Sequence, residues 1–147
     1  MADIRMTQRA GQGLASVVLR RGALPDLGAV ALWPTGPGQW LAHGADAAPD
    51  WADALAARAG PDVAVIDQSG AYRLFAIEGA DAHAFLQKAM AVDLSPARFG
   101  EGAVVVSMIA HIGVIVRHDG PGRFTLAVFR SFADSFAGWF DHAVAMA

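Results

Sequence analysis

Apolar residues fall in short runs separated by glycine- and proline-bearing turns. The longest run, residues 104–117, reads Val-Val-Val-Ser-Met-Ile-Ala-His-Ile-Gly-Val-Ile-Val-Arg. β-Branched residues crowd both of its ends and favour extended backbone, so the run predicts a pair of core strands covered on both faces. It is long for one strand, and a bend or turn is expected within 110–113, first of all at Gly113. Ser107, His111 and Gly113 interrupt it, and it is shorter than the roughly 20 apolar residues that cross a bilayer. No membrane span is expected.

The other elements read outward from this stretch. Residues 1–14 are mostly polar, pass through Gly11-Gln12-Gly13, and predict a flexible arm. Residues 15–19 and 29–33 predict edge-type strands, and the Pro/Gly turn between Trp33 and Trp40 predicts a hairpin. Residues 47–59 predict a surface helix, with Asp50 as its cap and Gly60-Pro61 as its stop. Residues 63–66 and 72–77, joined by Asp67-Gln68-Ser69-Gly70, predict a second hairpin. Ala82, Phe85, Leu86, Ala89 and Met90 share one helical face, and the segment before Pro96 ends that helix. The turn at 118–122 leads into strand 124–129 as a third hairpin. Ser131, with Asp134 three residues on, predicts a capped helix carrying Phe132, Phe136, Trp139 and Phe140 on its buried face. Strand pairs alternating with helices predict an α+β fold: antiparallel or mixed sheet hairpins with helices on one face.

Length, 147 residues, predicts a single domain over 1–147. Composition adds a partner. Hydrophobic residues make up 54% of the chain and charged residues 17%, against a usual charged share of about 25%. The surface must then be partly apolar, and apolar patches mark association sites. Net charge is −3, and the arginines are scattered singly apart from Arg20-Arg21, so no basic stripe exists to follow a phosphate backbone and nucleic acid is not an expected partner. The absence of cysteine excludes disulfides, thiol nucleophiles and Cys-based metal sites and fits a cytoplasmic location. No apolar leader segment opens the sequence.

Candidate chemistry is sparse. The histidines His43, His83, His111, His118 and His142 show no metal-ligand spacing. His111 lies inside the core stretch, where it reads either as a proton relay or as a hydrogen-bonded core or interface residue; the other four read as solvated. Lys88, the one lysine, sits on the polar face of its helix, where nothing would strip its proton. Ser69 and Ser107 lack the Gly-x-Ser-x-Gly setting of a nucleophile, and the glycines near Gly11 and Gly36 lack phosphate-loop spacing.

Four segments, taken in order, carry a family resemblance. Gly36-Pro37-Gly38-Gln39-Trp40-Leu41 resembles a Gly-Pro-Asp-Glu-Trp-Leu segment, and Val65-Ile66-Asp67-Gln68-Ser69 resembles Val-Val-Asp-Val-Ser. Ala91-Val92-Asp93-Leu94-Ser95-Pro96-Ala97-Arg98-Phe99 resembles Pro-Leu-Asp-Leu-His-Pro-Arg-x-Phe, and Arg130-Ser131-Phe132-Ala133 with Trp139 resembles an Arg-Ser-Phe/Tyr-Ala ending followed by Trp. The set is similar to the gamma subunit of heterotetrameric sarcosine oxidase, a relative of the folate-binding glycine-cleavage T-protein.

That resemblance implies a folate-binding-domain-like fold of two related strand-helix halves. It also implies a non-catalytic role beside alpha, beta and delta-type subunits, on which the flavins, NAD and folate are expected and which oxidise sarcosine with one-carbon transfer to tetrahydrofolate. No cofactor is expected in this chain. Catalytic T-proteins carry Gly-Gly-Ile-x-Asp-Asp after the core strand, whereas this chain reads His111-Ile112-Gly113-Val114-Ile115-Val116-Arg117. The acids are missing, so aminomethyl transfer by that route is not expected. Trp40, His111 and Arg130 are the candidate partner-interface residues. Two alternatives stay open: a stand-alone folate or one-carbon binding module, and a homo-oligomeric domain of unrelated role.

Overall fold

The computed structural model describes residues 2–147. The contacts divide the chain into two compact units, residues 10–72 and residues 73–147 together with 2–9. Each has its own sheet and its own core.

The unit spanning 10–72 contains β2 (Gly13–Leu19), β3 (Ala31–Gly36), β4 (Gln39–Gly44) and β5 (Val63–Asp67), in the sheet order β3-β4-β2-β5. Every pair is antiparallel. The hairpin between Trp33 and Trp40 forms as its turn predicts, with Gly36 opposite Gln39 and a shift of register between Pro34 and Gly36. β2, expected at an edge, lies inside the sheet. It carries no proline to remove a ladder bond, and Leu14, Ala15 and Val17 are buried along it. The helix α1 (Trp51–Ala59) buries Leu55 and Ala59 in a core with Ala15, Val17, Ala42 and Val63. Asp50 precedes it without making a side-chain cap bond, and Gly60 ends it with φ 82°. Gly13 and Gly44 are ladder partners, and a Cβ on either would come within 2.7 Å of the Trp51 indole. The ring occupies the space that two side chains would need.

The second unit holds β1 (Arg5–Arg9), β6 (Tyr72–Glu78), β7 (Val104–Ile109), β8 (Ile112–Gly120) and β9 (Arg123–Phe129), in the order β1-β6-β9-β8-β7. The segment expected to be a flexible arm therefore contains a strand. β1 pairs antiparallel with β6, and Arg5 meets Glu78 at 3.1 Å. Its polar sequence was misleading because an edge strand needs few apolar residues when backbone bonds hold it. The chain ahead of it is pinned as well. The Asp3 amide donates to Asp81 Oδ2 at 2.6 Å, and Asp3 Oδ2 accepts from the Ala80 amide at 2.9 Å. The expected hairpin of β5 with β6 does not form; the two strands enter different sheets.

Two helices, α2 (Ala82–Ala89) and α3 (Ala133–Ala145), lay Leu86, Phe136 and Phe140 into one core with Ile77, Val114, Val116, Leu126 and Val128. A 3-10 turn over Arg130–Phe132 precedes α3. The helix consequently begins after Phe132 and not at Ser131, the expected cap bond is absent, and Phe132 is 49% exposed instead of lying on the buried face. Side chains of large apolar residues contribute about 1.5–3 kcal/mol each when fully buried, so Phe136 and Phe140 carry much of what that helix gives to the fold.

Candidate functional site

The long apolar run becomes the β7–β8 hairpin, with an unbroken register from Val104 opposite Arg117 to Ile109 opposite Ile112. The turn falls at Ala110-His111, not at Gly113, which pairs with Met108 inside the ladder. Ala110 and His111 have φ of 50° and 66°, the two positive values that a two-residue type I′ hairpin turn demands. Geometry of the tight turn wins over the reluctance of side-chain-bearing residues to enter that region. His111 is therefore at an exposed turn tip rather than in a core strand. Nor is the run covered on both faces. β7 is an edge strand, with Val106 54% and Met108 55% exposed, while Ile112, Val114 and Val116 on β8 are buried.

The other two candidate residues lie one in each unit. Trp40 is half-buried against the core of residues 10–72, opposite Val17 on one side and Pro34 on the other. Arg130 is exposed at the start of the 3-10 turn. Among the described residues no hydrogen bond, ion pair or ring contact joins any two of Trp40, His111 and Arg130.

Three histidines expected to be solvated have structural roles. His43 is buried, its Nε2 lies 2.8 Å from Gln12 Oε1, and its ring meets Trp33 edge-on at 5.7 Å. His83 Nε2 donates to the Leu94 carbonyl at 2.7 Å. His118 stacks between Phe99 and Phe124, and its Nδ1 donates to the Phe99 carbonyl at 3.0 Å. His83 thereby ties the segment after α2 back to that helix, and His118, on β8, ties the same segment to the sheet. Among the described residues no group of three His, Asp or Glu side chains is placed to hold a metal ion, and no helix is long and apolar enough to cross a membrane.

Sequence reasoning missed a groove of about 530 Å³ between α2 and α3, walled by Phe85, Lys88, Ala89, Trp139, Ala143 and Met146. Phe85 and Trp139 face each other there with ring centroids 5.6 Å apart. The signal was present in part, since Phe85 with Lys88 and Trp139 with Ala143 each stand about one helical turn apart. Exposed Met146 stands at its lip. The surface thus offers apolar side chains in several places.

The chain is thus an α+β protein of antiparallel hairpins and helices with open apolar surface. Residues 31–146 match the model of the sarcosine oxidase, gamma subunit family, and the chain belongs to that family. Among solved structures it is similar to a chain of the heterotetrameric sarcosine oxidase from Corynebacterium sp. U-96 in complex with pyrrole 2-carboxylate. The TM-score is 0.85 at 20% identity, over 97% of this chain and 84% of that one. At that identity the likeness is one of fold. No curated protein matches the sequence.

Proposed function

We propose that the chain is the gamma-type, non-catalytic subunit of a heterotetrameric sarcosine-oxidase-type flavoenzyme, with alpha, beta and delta-type subunits as its partners. The family match over residues 31–146 carries this reading. Flavin, NAD and folate sit on those partners, where sarcosine is oxidatively demethylated to glycine and the one-carbon unit passes to tetrahydrofolate. The complex works in the cytoplasm. The gamma chain has a folate-binding-domain-like fold whose ligand function is gone.

The loss has a local physical basis. Where catalytic T-proteins bear acids after the core strand, β8 bears Val114, Ile115 and Val116, buried at 2%, 9% and 0% exposure. A carboxylate at such a position would have to be desolvated without a partner, which the sheet core cannot supply. Trp40, His111 and Arg130 contribute to subunit contacts. The test is a comparison of the purified chain with the assembled complex. The chain alone is expected to show no flavin absorbance, no sarcosine turnover and no tetrahydrofolate binding by calorimetry at micromolar concentration. Stoichiometric flavin or micromolar folate affinity in the isolated chain would overturn the proposal.

A further inference from the structure

The sheets of the two units have four edges, and three carry devices that discourage pairing with another chain. β1 has Arg5 and Arg9, β3 has Pro34 and an irregular register, and β5 is five residues long and ends in Asp67. β7 has none of these. It reads Val-Val-Val-Ser-Met-Ile, without charge, proline or bulge, and its register with β8 is continuous.

Which backbone groups the edge presents follows from the ladder. The His118 amide donates to the Ala103 carbonyl at 3.0 Å, so Ala103 and His118 occupy a hydrogen-bonded pair. Alternation along an antiparallel ladder then gives the same status to Val105 with Val116, Ser107 with Val114, and Ile109 with Ile112. The amides and carbonyls of Val104, Val106 and Met108 point away from β8. Two of those three residues are the ones whose side chains are more than half exposed. Outward peptide groups and outward apolar side chains therefore coincide on the same residues.

We infer that the β7 edge receives an extended backbone segment of another subunit, apolar at alternate positions, which pairs with Val104, Val106 and Met108 and extends the sheet by one strand. This inference rests on the reading of the chain as a subunit of a larger assembly. The peptide groups specify the occupant's extended conformation, because only a strand offers donors and acceptors at the matching repeat. Val106 and Met108 specify its apolar face.

The test uses the full chain together with the sister subunits from the same organism. Val106→Pro removes an amide that makes no bond to β8, and the pair Val106→Lys with Met108→Lys charges the edge while keeping its backbone. Both are expected to leave the melting temperature of the isolated chain near wild type and to lower its recovery in the complex at least about tenfold. Amide exchange gives a second reading that does not depend on folding of a variant. In the wild-type complex the Val104, Val106 and Met108 amides exchange at least about tenfold more slowly than in the isolated chain, while Val105 and Ser107 are protected in both. Wild-type recovery of both variants, or equal exchange at Val106 in the two states, would overturn the inference. A dimer of the chain alone that the variants abolish would overturn it in favour of a second copy. A wild-type chain that joins no other subunit would overturn the underlying reading itself, an outcome distinguishable because it needs no variant.

Discussion

Val106 and Ile115 stand directly opposite each other in the β7–β8 ladder and share one face of the sheet, yet Val106 is 54% exposed and Ile115 9%. Burial on that face stops between two adjacent strands. Equivalent β-branched residues a ladder rung apart thus belong to a covered surface and to an open one, and only the latter is available to a partner.

The Ala110-His111 turn should be improvable. Both residues hold positive φ, which costs a side-chain-bearing residue about 1–2 kcal/mol and which Asn-Gly accepts readily. The double change Ala110→Asn with His111→Gly is expected to raise the melting temperature, by roughly 1 kcal/mol of stability after the added flexibility of the unfolded chain is allowed for. Thermal melts check this; a lower melting temperature would show that His111 makes a stabilising contact worth more than the turn geometry.

The two large aromatics of α3 should behave differently. Phe136 is fully buried and touches Phe75 and Trp139 with ring centroids 5.4 and 5.6 Å apart, whereas Trp139 is half-buried in the groove wall. Phe136→Ala is expected to cost about 3–5 kcal/mol, a large share of a domain's total of about 5–15. Trp139→Ala should cost clearly less, because part of its ring already meets water. Urea titrations of the two variants in parallel decide the order.

Under the Trp51 ring, Gly44→Ala and Gly13→Ala are each expected to displace the indole, since the new methyl would sit about 2.7 Å from it. A contact that short forces movement, and a destabilisation of about 1–3 kcal/mol is typical of overpacking. Gly113→Ala is the control, with nothing within 4 Å of the added atom. Tryptophan fluorescence and melting temperature should change for the first two and stay near wild type for the third.

Much of the fold was legible where local chemistry decides it. The hairpin between Trp33 and Trp40, the β8–β9 turn and the buried face of α2 follow from turn residues and periodicity. What escaped depends on distant partners. Nothing in Arg-Met-Thr-Gln-Arg announces β1, because its order comes from β6, about seventy positions away in sequence. The uniform run 104–117 could not disclose that its first half is an edge, since apolarity reports burial only when something covers it. At the candidate interface the apolar excess was readable in composition. Its placement on Val106 and Met108 was not, and of the three residues singled out, His111 alone lies on the hairpin that bears them.

The single tyrosine offers a clean pH probe. Burial raises the Tyr72 hydroxyl above its ordinary pKa of 10.0 by disfavouring the phenolate. The folded state therefore holds this proton more tightly than the unfolded state. The associated stability is fully present below pH 10 and is lost as pH rises through the folded-state value. An absorbance titration of tyrosinate is expected to show a midpoint above 10.0 in the native chain and a lower one in denaturant. Coincident midpoints would remove the burial effect.

Whether the chain is a structural gamma-type subunit is tested most directly by native mass spectrometry of the chain recovered intact from its own host. The expected species contains one copy of this chain with three other subunits, carries flavin, and oxidises sarcosine, while the chain released from it is colourless and inactive. Recovery of the chain only as a free monomer or a homo-oligomer, with sarcosine oxidation unaffected by its removal from the host, would contradict that role.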